Sequence, residues 1–362
     1  MNVQLEHKPD CEKVLARFEA WWQCELVDRP LVTMSVKPPK PGPAFPVKKH
    51  ATERERWFDF EYILDRREAS LPHRVFFAES FPMYMPNLGP EVCSTLFGAG
   101  LEFGPATSWS VPVAKNCADI LKMKPDFGNV YWKAIQRATD LSLARGRGRW
   151  ITGVTDLHTN GDLPASLRDP QHFAIDMAED LDTATAAVEH VTEFFAAIYD
   201  DLWGRIRAAG QPSTTWAPTL HAGRSYVTSC DFICMISPAM FQRAILPSIV
   251  REMRFLERNI FHLDGPGALR HLDALLAQPE LDGLQWVYGA GNGPARKWMD
   301  VYKKAQAAGK CLQINCENLA DAEAFIPELK PGGVWFIVGG AYTLDEAKGF
   351  VKKLEKWAAR ER

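Results

Sequence analysis

Short apolar runs alternate with longer amphipathic segments along most of the chain. Spacing typical of helices covers residues 11–24, 52–67, 184–209, 239–257, 267–277, 294–308, 319–326 and 344–359. Apolar runs of strand length lie at residues 31–36, 74–79, 150–156, 226–233, 260–264, 283–288, 311–315 and 334–338. Apolar residues three to four apart indicate a helix that covers a core, and a short continuous apolar run indicates a buried strand. The pattern therefore predicts eight strands with helices between them.

This alternation of strands and helices predicts an α/β protein with parallel strands and helical crossovers. Eight such units favour a single closed (β/α)₈ TIM barrel over an open sheet. No Gly-x-Gly-x-x-Gly motif follows a predicted strand, which argues against a dinucleotide-binding sheet. We expect residues 1–30 to form an N-terminal helical extension packed outside the barrel, which residues 31–362 form.

Proline and serine mark two boundaries between these elements. The proline-rich residues 38–46 predict a stiff loop after the first strand, because proline cannot donate to a sheet. Ser237 followed by Pro238 predicts the start of a helix, with the serine as N-cap and the proline at the first helical position.

Composition narrows the function classes. The chain of 362 residues has 42 Lys and Arg against 45 Asp and Glu, so no basic field exists to bind nucleic acid or an anionic membrane. No apolar run approaches the roughly 18 residues that span a bilayer. The first 13 residues contain no apolar stretch typical of a secretory signal, so we expect none. Eight scattered cysteines without a Cys-x-x-Cys pair predict reduced, mostly buried thiols. We therefore expect a cytoplasmic enzyme with a small-molecule substrate.

Polar residues gather where the predicted strands end, which is where a barrel places its active site. The residues that we expect to be catalytic are Asp156, Asp231, His262 and Asp264. The residues that we expect to bind substrate are Glu79, His158, Gln285, Trp286, Tyr288, Asn315, Glu317 and Tyr342. The glycines after Tyr288 leave room for a flat ligand against Trp286 and Tyr288.

The pair His262 and Asp264 is the sharpest of these signals. Residues two apart on a strand point to the same side, so this pair predicts a metal site or a base with an orienting carboxylate. The alternative is a turn in which Asp264 caps the next helix. Asp156 and His158 have the same spacing, and the following Asn-Gly-Asp leaves a capped turn equally open there.

Three stretches resemble the uroporphyrinogen decarboxylase-like superfamily. Ser229-Cys230-Asp231, followed by residues 236–241 and 246–247, is similar to the family's fourth strand and the helix after it. Residues 261–265 (Phe-His-Leu-Asp-Gly) occupy the place of the His-x-Cys-Gly of its methyltransferases, and residues 334–340 resemble its last strand. The resemblance covers roughly residues 10–360. It implies a (β/α)₈ barrel and either methyl transfer or decarboxylation.

Two departures from the family shape the expected chemistry. The Arg-Gln-Ala-Gly-Arg segment that binds tetrapyrrole carboxylates is missing after the first strand. Asp264 replaces the first zinc-binding cysteine, and no cysteine follows the last strand. The resemblance then implies that His262 and Asp264 bind zinc or another divalent metal, together with a further acid such as Glu79 or Glu317.

The sequence and the resemblance leave three alternative functions open. The first is methyl transfer with a corrinoid carried by a partner protein, in a chain that forms a homodimer. The second is decarboxylation of a carboxylated substrate, with Asp and His as proton donors. The third is a barrel that binds a ligand without catalysis. Metal analysis with and without a chelator separates the first two, and a binding-only protein shows neither metal nor turnover.

Overall fold

The computed structural model describes residues 3–40 and 42–360. Met1 and Asn2 of the expected extension, Pro41 of the expected proline loop, and Glu361 and Arg362 at the end of the expected barrel lie outside the described residues.

The described strands form one large parallel sheet and two small sheets. They are β1 (Leu31–Val36), β2 (Met83–Tyr84), β3 (Gly100–Phe103), β4 (Ser108–Val111), β5 (Ile151–Thr152), β6 (Ser225–Ser229), β7 (Arg258–Asp264), β8 (Gly283–Val287), β9 (Cys311–Cys316) and β10 (Val334–Tyr342). The large sheet has the order β1-β10-β9-β8-β7-β6, so the first strand and the last are hydrogen-bonded neighbours. β2 pairs with β5 in parallel, and β3 with β4 in an antiparallel hairpin. The chain is therefore an α/β protein with a six-stranded parallel sheet.

Helices follow most of these strands. They are α1 (Cys11–Trp21), α2 (Glu53–Phe58), α3 (Phe60–Ser70), α4 (Cys117–Ile120), α5 (Val130–Gly146), α6 (Asp162–Arg168), α7 (Pro170–Glu179), α8 (Leu181–Thr192), α9 (Phe195–Ala208), α10 (Pro238–Met240), α11 (Leu246–Phe255), α12 (Leu272–Leu276), α13 (Met299–Ala307), α14 (Leu319–Glu323) and α15 (Leu344–Arg360). The expected helix start is confirmed, since Ser237 Oγ accepts a hydrogen bond from Met240 N before α10. The hairpin β3–β4 and the helices α4 to α7 were not predicted from the sequence.

The large sheet has two faces that pack differently. Alternate residues such as Val32, Phe261 and Leu284 join the apolar core beneath the helices. On the other face, which we call the inner face, residues near the amino ends of the strands, such as Ile260 and Trp335, pack with the apolar side of α1 in a separate cluster. The helix α1 thus covers the amino ends of the strands and leaves their carboxyl ends free for a site.

The expected strand at residues 74–79 is wrong. This segment makes one isolated bridge, Val75 with Val36, and the strand forms later, as β2. Ala78 has a φ of 51°, which breaks an extended run. The buried Lys8 donates from Nζ to the carbonyl oxygens of Phe76 and Ala78, at 3.2 and 2.6 Å, in place of a neighbouring strand. An apolar run alone therefore did not specify a strand.

Two further features bear on the expected class of protein. No described helix is both long and apolar enough to pass through a bilayer. All eight cysteines are free, and six of them are buried, as the scattered spacing predicts.

Candidate functional site

Three potential metal ligands meet at the carboxyl ends of β6 and β7. His262 and Asp264 belong to β7, and Asp231 opens the short 3₁₀ helix Asp231–Met235 that follows β6. One ligand atom from each residue lies within 4.8 Å of the others. His262 and Asp264 share the inner face with Ile260, because strand side chains alternate. We call these three residues the acid–histidine triad.

A row of glutamines orients His262. In the register of the sheet His262 pairs with Gln285, and Gln285 pairs with Gln313. Gln285 Oε1 accepts a hydrogen bond from His262 Nδ1, and Gln285 Nε2 donates to Gln313 Oε1. The indole of Trp216 packs edge-on against the imidazole at 5.1 Å between ring centroids. A proton held on Nδ1 leaves the lone pair of Nε2 for a metal or a substrate.

Asp264 does not cap the next helix, which was the alternative interpretation of this motif. The N-cap of the 3₁₀ helix Pro266–His271 is Gly265, and no side-chain hydrogen bond caps it. Gly265 has a φ of 75°, a conformation that glycine adopts without strain and that turns the chain sharply after the strand. Within residues 3–40 and 42–360 the Asp264 carboxylate has no hydrogen-bond partner. It is therefore available as a ligand.

The loop after β5 brings a second set of charges beside the triad. His158 lies between two carboxylates, with Nε2 3.5 Å from Asp156 Oδ1 and Nδ1 3.1 Å from Asp162 Oδ2. Burial alone would lower the pKa of His158, but the two aspartates outweigh it and raise that pKa well above its usual range. The two aspartates therefore favour the protonated form of His158.

Asp162 fixes the backbone that carries Asp231. Its two carboxylate oxygens accept hydrogen bonds from the backbone N–H groups of Asp231 and Phe232, at 3.0 and 2.9 Å. Burial raises the pKa of Asp162, but His158 and these two N–H groups lower it overall. Asp162 is thus an anion with a structural task, in line with the capping role that the sequence left open for it.

Asp231 carries the opposite perturbation. Burial and the nearby Asp162 raise its pKa, while His158 and His262 act in the other direction. The site thus holds four carboxylates, of Asp156, Asp162, Asp231 and Asp264, against two imidazoles. This excess of negative charge favours a cation over an anion at the triad. A small cavity of about 270 Å³, lined by His158, Asp162 and Asp231 among others, opens beside it.

Glu252 in α11 supports the same loop from beneath and was missed by the sequence analysis. It accepts hydrogen bonds from Thr159 Oγ1 at 2.5 Å and from Asn160 Nδ2 at 2.9 Å. Asn160 Nδ2 also donates to the carbonyl oxygen of Ser229, which ties the loop to β6. Burial raises the pKa of Glu252 to about 8. An acid on the apolar side of an amphipathic helix was the signal that could have revealed it.

Glu79 does not join this site. Its carboxylate accepts hydrogen bonds from Arg17 at 3.0 Å, from Arg29 at 2.8 and 2.9 Å, and from the backbone N–H of Val32 at 2.8 Å. Val32 is the second residue of β1, so this network lies at the amino ends of the strands, opposite the triad. The expectation that Glu79 follows a strand and faces the common site is therefore corrected, and with it the expectation that Glu79 supplies the third metal ligand.

Several expected substrate-binding residues are also placed differently. Trp286 is fully buried on the helix side of β8 and packs edge-on against Trp298, which corrects its expected contact with a flat ligand. Gln285 is buried and contacts His262. Tyr288 donates from its hydroxyl to the carbonyl oxygen of Asn315, and Tyr342 donates to that of Gly339. Both hydroxyls are therefore engaged by the backbone.

Asn315 lies near the end of β9, and Glu317 follows two residues later, after the strand has ended. Asn315 is half-buried on the inner face, while Glu317 is exposed after the end of the strand. Glu317 lies against Gly293, where an added Cβ would meet its Oε1, so this acid does not complete the triad. The third potential ligand is Asp231.

Comparison with known proteins addresses the fold. No protein-family model matches the chain, and no curated protein matches it. Among solved structures, a methyltransferase from Methanosarcina mazei superposes with a TM-score of 0.58 at 13% sequence identity, over 95% of this chain and 98% of that one. Macrophomate synthase matches 63% of this chain and 74% of that one at 16% identity, with a TM-score of 0.22. The chain therefore shares the overall fold of the Methanosarcina protein.

Proposed function

We propose that this chain is a closed (β/α)₈ barrel enzyme that transfers a methyl group with the help of a divalent metal ion. The acid–histidine triad is the observation that carries the proposal, since it assembles a ligand set at the strand ends where barrel enzymes place their chemistry. The pairing of β1 with β10 supports closure. The fold shared with a protein that is named a methyltransferase supports this reaction class.

The residues present fit a divalent metal ion. Zinc accepts histidine nitrogen and carboxylate oxygen, and three protein ligands leave a position open for substrate. Two carboxylates make the set harder than the His-x-Cys set of the resembling family, so manganese or ferrous iron fits as well as zinc. A bound cation supplies Lewis acidity, which lowers the pKa of a substrate thiol or hydroxyl that is to receive the methyl group.

The residues of the chain itself have separate tasks. Gln285 holds the proton on His262 Nδ1 and so directs Nε2 into the site. Asp162 holds the backbone of Asp231. Asp156 and the His158 imidazolium, whose side chains are 18% and 15% exposed, are placed to orient a polar substrate. We propose that the methyl donor is a corrinoid carried by a partner protein, and that the chain acts in the cytoplasm as a homodimer.

Decarboxylation is the second candidate, and the His158 imidazolium favours it. A protonated imidazole that lines the cavity beside the triad can donate a proton to the carbanion that forms as carbon dioxide leaves. Such a reaction needs no metal, so metal dependence separates the two candidates.

Titration of the metal-free protein with cobalt(II) tests the proposal. Cobalt(II) reports its ligands through visible absorption bands, which require no knowledge of the substrate. We expect one equivalent to bind to the wild-type protein, and Asp264→Asn and His262→Ala to abolish the bands. The matched control is Asp300→Asn, which removes an exposed carboxylate from the first turn of α13 and should bind like wild type. Equal binding by Asp264→Asn and Asp300→Asn would remove the basis of the proposal.

A further inference from the structure

A second cavity, of about 740 Å³, opens between β1 and the segment that precedes β2. Most of its lining is apolar and includes Phe81, Met83 and Ile337. Thr33 also lines it, and Thr33 pairs with Ile337 across β1 and β10. A volume between about 300 and 1,000 Å³ with a mainly apolar lining is typical of a site for an organic ligand.

The charged groups of this cavity are unbalanced. Four basic side chains line it, from Lys37, Arg67, His73 and Arg74. The one acidic residue among the described residues of its lining is Glu79, whose carboxylate already binds Arg17 and Arg29. The basic groups therefore face the cavity without a counter-charge from its walls.

Arg67 is the least compensated of the four. Its Nε is fully buried and has no hydrogen-bond partner within the described residues. Among the described residues, no carboxylate oxygen lies within 4 Å of the charged groups of Lys37, Arg67 or Arg74. Most other described arginines form an ion pair with a carboxylate. Burial, and then the charge of Arg74, lower the pKa of Arg67 to about 10, so it stays charged at neutral pH. Arg67 as a whole is half-buried, and its guanidinium lies 5.9 Å from the centre of the Tyr84 ring. A half-buried cation without a carboxylate partner is unfavourable, and a bound anion would offset that penalty.

We propose that this cavity binds an organic anion, with its carboxylate or phosphate group against Arg67 and Arg74 and its apolar body against Phe81, Met83 and Ile337. A guanidinium offers two parallel N–H donors that match both kinds of acid group. This part of the proposal depends only on the cavity and its basic side chains, and not on the proposed function.

That the anion is the substrate rests on the proposed function. Pro218 lines the cavity, and Trp216, two residues earlier, packs against the triad's His262. Thr33 and Ile337 lie on the inner face, which also carries His262 and Asp264. The cavity and the triad thus open onto one face of the sheet, and an anion in the cavity would extend its apolar body toward the triad.

Calorimetric titration with three small aromatic probes tests the binding site. Benzoate and phenyl phosphate carry the two kinds of acid group, and benzyl alcohol is the neutral analogue. We expect at least one anion to bind at least tenfold more tightly than benzyl alcohol, and the tighter of the two identifies the acid group. Equal affinity for all three probes would overturn the proposal.

Variants assign the binding to the cavity. Arg67→Met should weaken binding of the preferred anion at least tenfold. The control Arg66→Met removes the same charge from an exposed, adjacent position of α3 and should bind like wild type. If circular dichroism shows that Arg67→Met is poorly folded, Arg74→Met, at an exposed position, tests the same binding site. Unchanged binding in both cavity variants would overturn the proposal.

The same proteins separate this inference from the proposed function. Asp264→Asn should lose cobalt(II) and keep the anion, while Arg67→Met should lose the anion and keep cobalt(II). If the wild-type protein bound the anion but did not bind cobalt(II), the proposed function would be overturned and the anion site would stand.

Discussion

Replacing Glu79 by glutamine tests whether this buried acid holds the fold together or binds substrate. The side chain is fully buried and accepts four hydrogen bonds, of which three come from the guanidinium groups of Arg17 and Arg29. Glutamine keeps the shape but brings an N–H₂ donor to face these donors. Arg17 keeps its pair with Asp28, whereas Arg29 is left with the carbonyl oxygen of Pro30, the one remaining oxygen of the glutamine and no carboxylate.

The expected loss follows from this uncompensated arginine. Breaking a buried ion pair on one side costs about 3–5 kcal/mol, because the remaining charge stays buried without its partner. This is a large share of the roughly 5–15 kcal/mol by which a folded domain is stable. Glu328→Gln is the matched control, since it breaks an exposed pair with Lys303 and should cost at most about 1 kcal/mol.

Urea unfolding followed by tryptophan fluorescence measures both variants. We expect a clearly lower midpoint for Glu79→Gln, a nearly unchanged one for Glu328→Gln, and full cobalt(II) binding in both while folded. If Glu79→Gln unfolded at the midpoint of its control, the structural role would be refuted, and the substrate-binding role predicted from the sequence would return.

Three further predictions concern the site. Because burial raises the pKa of Glu252 from about 4.5 to about 8, the folded chain holds this proton more tightly than the unfolded chain, so the stability that Glu252 contributes is lost as pH rises through this window. Between pH 5.5 and pH 8.5 the urea midpoint of unfolding should fall less for Glu252→Gln than for the wild type. An equal fall in both proteins would contradict this. Gln285→Leu should weaken cobalt(II) binding about 10- to 100-fold by releasing His262, whereas exposed Gln171→Leu should not, and equal affinities would exclude the orienting role. Asp264→Cys should raise the affinity for zinc and lower that for manganese, since thiolate is the softer ligand, and an unchanged preference would place the metal elsewhere.

The sequence was informative where strand periodicity alone decides orientation. His262 and Asp264 were predicted to share a face because they are two residues apart at a strand end, and the structure places both on the inner face beside Asp231. The expectation for Trp286 rested on the glycines after Tyr288 and failed, because Trp286 directly follows the inward-facing Gln285 in β8 and its indole therefore points toward the helices. Which face of a buried strand is the inner one depends on its neighbours and is not visible in one segment.

Long-range contacts limited the rest of the prediction. The apolar run before Glu79 resembled a strand, but Lys8, some seventy residues earlier, takes its carbonyl groups. Glu252 lies 92 and 93 positions from the loop residues that it binds, so no local pattern connects them. Arg67 likewise lacks a carboxylate partner because the nearby Glu79 pairs with Arg17 and Arg29, which are distant in the sequence.

The central claim is that the acid–histidine triad binds a divalent metal ion. Anomalous X-ray diffraction from crystals grown with zinc, recorded on both sides of the zinc absorption edge, tests it most directly. We expect one anomalous peak at about 2.0–2.2 Å from one carboxylate oxygen each of Asp231 and Asp264 and from His262 Nε2. A zinc peak located elsewhere, with none between these three side chains, would contradict the account.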